Sequence, residues 1–394
     1  MQEFITELME LKGLRAVDCQ KINETTWLAR LEAQPTSFSC SFCGHLTHNH
    51  GDSNKHRIVR HRYIPGVGFL DLSVPVLRRQ CSSCGSTETV FWPGVQARNQ
   101  YTDAFIAAAV KACHGRTIQS VRKEWQIGYS TLERWYYDQT RCLLPNPTDH
   151  ASPEVLCLDE HAIHKQHKYH VAVMDHQTGH VWGVAKGRGK TILVPFLQNW
   201  PFPTAPKVVV TDLAAGFARI VRKVWPQTQV VADRFHVIGL FIAAMERGRK
   251  KNKGLTHRTI RYQRSLLAKK PQDLTEPQSL DLATLWAEQP LLQPIYQALQ
   301  EFRSLYREPN PKEAIRQLTI WLATYADHEL KSLRRLAKTI RRWQKAIEAS
   351  FIHPVSNGPM EGTNNHIKVI KRRAFGYRNP DHFIHRIRLE CKSA

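Results

Sequence analysis

The sequence predicts a multidomain α+β protein: an N-terminal zinc ribbon, a helix-turn-helix, and a mixed α/β domain interrupted by an all-helical insertion. Three observations predict it. Two C-x-x-C pairs, Cys40/Cys43 and Cys81/Cys84, bracket a strand-rich stretch. A helix, a Gly-containing turn and a second helix follow. Beyond a Pro-rich linker, short apolar strands alternate with helices and then give way to a long basic helical region.

Composition sets the class of partner. The 56 Lys and Arg outnumber the 34 Asp and Glu, leaving +22 on 394 residues, a balance that favours phosphate backbones or anionic surfaces. With 42% apolar residues and no short period, the chain is neither an acidic disordered tail nor a collagen-like repeat. The longest apolar stretch, Val237 to Met245, is far short of the roughly twenty residues a bilayer span needs. Glu3, Glu7 and Glu10 precede any apolar run, contrary to a secretory signal. The expectation is a soluble cytoplasmic protein that meets nucleic acid and not membranes.

Residues 1–35 carry no readable role. The segment 36–95 reads as the zinc ribbon. Two C-x-x-C knuckles, each followed by Gly, can bring four thiolates to one tetrahedral zinc, with Leu70 to Leu77 as a strand leading into the second pair. His45, His48 and His50 are possible substitute ligands.

The segment 98–145 reads as the helix-turn-helix. Thr102 caps a helix with Phe105, Ile106, Ala109, Val110 and Cys113 on one face, and Thr117 caps a helix over 118–125. Gly128 then makes a turn, and Ser130 with Glu133 fits a capping box opening the next helix. If that last helix enters a major groove, Ser130, Thr131 and Arg134 face bases, while Arg122, Lys123 and Arg141 lie near phosphates. A plain trihelical packing unit is the alternative.

After the linker 144–148, strands are expected at 155–158, 169–174, 181–185, 207–211 and 229–232, with helices over 191–200 and 214–225. Three antiparallel strands followed by strand-helix-strand crossovers make a mixed sheet, as in ribonuclease-H-like domains. The first part of this domain spans 150–238 and the last part 350–394, with the helical insertion over 239–349. Residues 241–270 hold ten Lys or Arg against the single Glu246, among them Arg249, Lys250 and Lys251. Residues 331–346 hold seven and no acid. There Leu333, Leu336, Ile340, Trp343 and Ile347 recur at three-four spacing, leaving Arg334, Arg335, Lys338, Arg341, Arg342 and Lys345 for a nucleic-acid face.

Three acids stand where phosphodiester chemistry would put them. Asp159 ends the first strand, Asp212 ends the fourth, and Glu361 opens a C-terminal helix. Neighbouring first and fourth strands would set the two aspartates side by side. Hard oxygen ligands without Cys or His suit magnesium or manganese, two ions of which can support an in-line displacement. An Asp after a strand also commonly just caps a turn, and Glu160 rivals Asp159, although strand alternation lets only one reach the site.

Several separated strings together carry a family resemblance: the double C-x-x-C, Leu158-Asp159-Glu160, Val210-Thr211-Asp212-Leu213, Ala232 to Val237, and Ser356 to Asn365 around Glu361. From about Thr36 onward the chain resembles the DDE transposases of bacterial insertion sequences, most closely the ISL-three group. The resemblance implies that Asp159, Asp212 and Glu361 bind the catalytic metals, and that the helical block is an insertion within a ribonuclease-H-like fold. Asp233 and His236 match an Asp-x-x-His pattern, implying a supporting role. It further implies the bacterial cytoplasm and association with the nucleoid, and binding of double-stranded DNA, both terminal inverted repeats and target, by a homodimer or larger synaptic assembly that hydrolyses a phosphodiester and transfers the freed 3′ hydroxyl. A DNA-binding regulator without catalysis and a nuclease that cuts without joining are the competing readings.

Overall fold

The computed structural model describes residues 11–34, 37–51, 54–164, 168–249 and 256–391. The chain divides into two compact units, 1–143 and 144–394, with the boundary at the expected linker.

The first unit opens with two strands where no role was expected. β1 (Leu14–Asn23) and β2 (Thr26–Ala33) form a hairpin. They join β4 (His56–Ile64) and β5 (Gly68–Pro75) in a sheet of order β1-β2-β5-β4, over a core of Leu14, Leu31, Leu72, Val74 and Trp92. Gly68 allows the close passage of β5 past the hairpin turn: its φ is +116°, and a Cβ there would strike the Thr25 carbonyl. The cysteines belong to a separate small sheet of β3 (Thr47–Asn49), β6 (Arg78–Cys81) and β7 (Thr87–Thr89), ordered β3-β6-β7. The segment 36–95, expected to be one zinc ribbon, is thus shared between two sheets: the cysteine-bearing one, compatible with a ribbon, and the one in which β4 and β5 join the N-terminal hairpin.

Three helices follow: α1 (Asp103–Ala112), α2 (Ile118–Trp125) and α3 (Tyr129–Arg141). Thr102 and Thr117 cap the first two, accepting from the Phe105 and Ser120 amides. The expected Ser130–Glu133 capping box does not form. Gly128 occupies the cap position with no side-chain bond, so Ser130 lies one residue inside the helix, and Glu133 instead accepts from the Tyr129 hydroxyl at 3.3 Å.

In the second unit, β8 (Val155–His164), β9 (Lys168–Asp175), β10 (Val181–Ala185), β11 (Val208–Thr211) and β12 (Gln229–Ala232) form a sheet of order β10-β9-β8-β11-β12. β10, β9 and β8 pair antiparallel with one another, and β11 runs parallel to both β8 and β12. Strand β8 does not stop at Asp159. It continues to His164 because β9 supplies antiparallel partners past that point, Asp159 opposite Ala172 and Ala162 opposite Tyr169.

Alternation sends the two faces to different layers. Leu156, Leu158, Val171 and Val209 face α4 (Lys190–Gln198), α5 (Ala215–Val224) and the helical block. That block comprises α6 (Arg234–Arg249), α7 (His257–Ala268), α8 (Glu276–Glu288), α9 (Leu292–Leu305), α10 (Pro311–Ala326) and α11 (Lys331–Ile352). Its interior is aromatic, with Phe241, Phe302 and Trp321 in mutual contact at centroid distances of 5.1, 5.7 and 5.2 Å. It shares one continuous core with the sheet. Cys157, Ala172, Val208, Val210 and Val231 face the other way, onto Met360, Ile367 and Ile370 of α12 (Gly358–Arg373) and Phe383 and Ile387 of α13 (Pro380–Glu390). Among the described residues no helix is long and apolar enough to cross a membrane.

Candidate active site

Three parallel strands end side by side, and each is followed or continued by an aspartate. Rung by rung, Leu158 pairs with Thr211 and Thr211 with Ala232, so the next residues, Asp159, Asp212 and Asp233, lie at the same level of the sheet. By alternation they follow Cys157, Val210 and Val231 onto the face covered by α12 and α13. Glu361 sits in the first turn of α12. Strand register thus determines which acids meet which helix.

A cleft of about 720 Å³ opens here. Asp159 and Glu361 line it, as do Asp233, Arg234, Phe235 and His236 from the β12–α6 junction. From α12 and the turn before it come Asn357, Asn364 and Lys368, and from the helical block Lys270, Arg303, Tyr306 and Arg307. Asp212 does not line the cleft. It lies beside Asp159 at the neighbouring strand end, where its carboxylate accepts from the Ala214 amide at 3.1 Å and the Thr211 hydroxyl at 3.3 Å.

Asp159 is held rather than merely present. Its Oδ2 accepts from Asn364 Nδ2 at 2.8 Å and, at the longer distance of 3.5 Å, from Asn357 Nδ2; its Oδ1 accepts from the Glu160 amide at 2.7 Å. Burial pushes its pKa up to about 6, against the lowering hydrogen bond from the Glu160 amide; the charge of Asp212 raises it further. Asp233, 4% exposed, accepts from the Asn357 backbone amide at 3.1 Å and so fastens the start of α12 to the end of β12. His236 Nε2 is 3.9 Å from its other oxygen. Behind the cleft, Glu390 of α13 takes Arg386 at 2.9 Å and Arg373 of α12 at 2.6 Å, tying the two helices together. Glu160 also reaches the cleft, but it is paired with Arg188 at 3.1 Å, whose guanidinium lies over Tyr169.

The sequence reading did not single out Asn357 and Asn364. Their spacing was a usable signal: residues 357, 361 and 364 fall on one face of a helix beginning near Gly358. Both are nearly fully buried, and both amide oxygens lack a hydrogen-bond partner. Carboxylates with adjacent unsatisfied amide oxygens are a hard-donor set, and a divalent cation would favour the charged form of Asp159, which its surroundings disfavour. The residues present fit such an ion. They are set wider than the cysteines: among the described residues, the four thiols are the one group of three or more candidate ligands whose donor atoms all lie within 4.8 Å.

That cysteine set is formed by two matching turns. Gly44 and Gly85, at φ +74° and +71°, let the chain double back so that their amides donate to the Cys40 and Cys81 carbonyls at 3.0 and 3.2 Å. Sγ of Cys40 and Cys84 are 3.7 Å apart, and Sγ of Cys43 and Cys81 3.4 Å. The Ser86 hydroxyl, 3.0 Å from Cys84, helps bring that thiol down to about 6. Four soft donors in this geometry fit zinc. His45, His48 and His50 are exposed and outside the set.

The remaining expected sites divide. Ser130, Lys123, Arg134 and Arg141 are exposed, and Arg122 and Thr131 partly so. On α11, Arg334, Arg335, Lys338, Arg341, Arg342 and Lys345 are exposed opposite the buried stripe of Leu333, Leu336, Ile340, Trp343 and Ile347. Arg249 departs from expectation: it is 2% exposed and paired with Glu246 at 2.7 Å, so it does not belong to a phosphate-facing surface. Lys250 and Lys251 lie outside the described residues.

Comparison with known proteins adds the lineage. The family model for transposases of the ISL-three DDE type matches residues 156–387, from β8 into α13. The transposase of insertion sequence element IS1001 from Bordetella parapertussis is 28% identical over 329 residues, 80% of each chain. The transposase of IS1557 from Mycobacterium tuberculosis is 26% identical over 348 residues, covering 80% of this chain and 77% of its own.

Proposed function

Because the chain belongs to the ISL-three family of DDE transposases and is a DNA transposase of an insertion sequence, we propose that Asp159, Asp212 and Glu361 are its catalytic carboxylates. The observation that carries this is the register of β8, β11 and β12, which sets Asp159 beside Asp212 on the face that α12 covers with Glu361. The strand order, with the first strand central and the fourth parallel beside it, supports reading the domain as ribonuclease-H-like. The three-helix segment supports a helix-turn-helix through its two Thr caps and its exposed Ser130 and Arg134.

The chemistry is an in-line displacement at phosphorus. In the first step a water oxygen attacks at the element end, the P–O3′ bond breaks, and the departing O3′ takes a proton to become a hydroxyl. In the second that hydroxyl loses its proton as its oxygen attacks a target phosphorus, and the target's own P–O3′ bond breaks. The three carboxylates would hold magnesium or manganese, which activate the attacking oxygen and stabilise the leaving one. Asn364 and Asn357 orient Asp159 for that task, Asp233 fixes the helix that carries Glu361, and the basic wall of Lys270, Arg303 and Arg307 faces the negative strand. The zinc-binding cysteines serve as a structural staple beside the DNA-reading helices, and two element ends require at least a dimer.

The test is joining. Full-length protein is incubated with magnesium or manganese and a plasmid bearing the gene's own flanking DNA, in parallel with Asp212→Asn. The expected result is joined product that the variant fails to make. Cleavage without joining would make the protein a nuclease. Tight, salt-sensitive binding with no cleavage by either protein would make it a regulator.

A further inference from the structure

The loop 96–100, just before α1, is built with more care than a connector requires. One guanidinium, that of Arg57 on β4, donates to three of the carbonyls around it: Gln96 at 2.6 Å, Asn99 at 3.2 Å and Val95 at 3.4 Å. Burial lowers the Arg57 pKa, as expected for a cation turned inward onto main chain. The loop's ends are tied as well. Gln96 Nε2 donates to Asp103 at 2.9 Å, the Asn99 amide to the Gln96 carbonyl at 3.3 Å, and the Arg60 amide to the Gln100 carbonyl at 2.9 Å.

At the centre of this scaffold Arg98 is held at φ +62°, in the left-handed region that disfavours an L side chain. Such a conformation persists where its surroundings over-determine it, and it aims a side chain that a relaxed loop would not. Arg98 is exposed. Together with Thr131, Arg134 and Trp135 of α3 the loop lines an open, mainly polar groove of about 410 Å³ with no carboxylate in its lining. Trp135 stands edge-on to Tyr101 at 4.9 Å, which fixes helix and loop against each other. Two guanidinium groups beside a donor-rich groove form a receptor for anionic oxygens.

We propose that the loop 96–100 and α3 form a clasp for the phosphate backbone of duplex DNA, with Arg98 and Arg134 as its charges and Arg57 as a positioning residue that never touches the nucleic acid. The clasp rests on the reading of the protein as a DNA transposase. Its grip is sequence-independent, so it gives Arg134 a backbone-facing role in place of the base-facing one first read for it, and its strain resides in one residue.

The discriminating variant is Arg98→Gly, which removes the charge and at the same time relieves the backbone. Full-length protein is titrated by fluorescence anisotropy, over a salt series, with a duplex from the gene's own flank and with an unrelated duplex. Arg98→Gly is expected to weaken both by about tenfold and to flatten the salt slope by about 0.9 per phosphate lost, with a melting temperature equal to or above wild type. Arg98→Lys should recover part of the affinity. Arg57→Gln should weaken binding similarly, and the double variant Arg57→Gln/Arg98→Gly should bind no worse than Arg98→Gly alone, because both act on one contact. Unchanged affinity and slope in Arg98→Gly, with wild type binding well, overturns the clasp and leaves the transposase reading standing. Absence of salt-sensitive binding by wild type to either duplex overturns both.

Discussion

Asp159 shows how much of a site is decided by what holds a side chain rather than by the side chain itself. Its carboxylate is partly buried next to Asp212 and tied to Asn364 from a helix 205 residues away in sequence. Removing Asn364 leaves the acid in place but free to turn. Asn364→Ala is therefore expected to raise the manganese concentration for half-maximal cleavage several-fold while DNA affinity stays unchanged; an unaltered metal dependence would show that Asp159 needs no such orientation. A second residue-scale consequence lies at His61. Fully buried, its Nδ1 shares a hydrogen bond of 3.0 Å with the Thr102 hydroxyl while Thr102 caps α1, and burial pushes its pKa down to about 4. The unfolded chain takes up a proton near 6.5 and the folded one does not until about 4, so stability present at neutral pH falls as pH drops through that window. The loss between pH 7 and pH 5 is about 2 kcal/mol for this group. Denaturant melts of His61→Gln should lack that component; an identical pH dependence in wild type and variant would assign the acid sensitivity elsewhere.

At the scale of elements, α11 carries a packing face and an exposed basic face along one helix. Its Leu333, Leu336, Ile340, Trp343 and Ile347 stripe is buried in the core shared with the sheet, and its arginines and lysines stand outward. Ile340→Ala is expected to cost about 2–5 kcal/mol of stability, whereas Arg341→Ala and Arg342→Ala should stay within about 0.5 kcal/mol and instead lower the salt slope of DNA binding by about 1 each. Equal stability losses at all three would mean the basic face packs against protein. Much of this helix was legible in advance because an amphipathic period repeats every few residues. The same holds for α1 and α2, whose Thr caps act within a single turn. The start of α3 was not legible: Ser130 and Glu133 satisfy the pattern of a capping box, yet Gly128 takes the cap position and the side-chain pair is not used.

Over the whole molecule, the two units keep separate cores, and their dependence on metals is expected to separate accordingly. The cysteine set draws together strands β3, β6 and β7; a metal held there would substitute for a core. Zinc chelation at neutral pH is expected to expose the four thiols to a colorimetric reagent and abolish recognition of the element ends, while the melting transition of 144–394 is unmoved. Sequence-specific binding retained after verified zinc loss would refute this assignment. Divalent-ion removal should do the reverse, stopping cleavage without loosening the first unit.

The sequence by itself determined the cysteine set, the strands and helices of 155–232 in their order along the chain, and the capped starts of α1 and α2, since each is signalled within a turn or a strand by spacing, caps and apolar periodicity. It also marked Asp159, Asp212 and Glu361 as the acids of interest, through their places at strand ends and at a helix start. Tertiary structure alone decided that β8 runs on past Asp159, that β4 and β5 pair with the N-terminal hairpin, that Arg249 turns inward to Glu246, and that Asn364 clasps Asp159. Each of these depends on which partner a side chain or strand meets across a gap of many residues. Local periodicity carries no record of that partner, because hydrogen bonds and desolvation act through space and not along the chain.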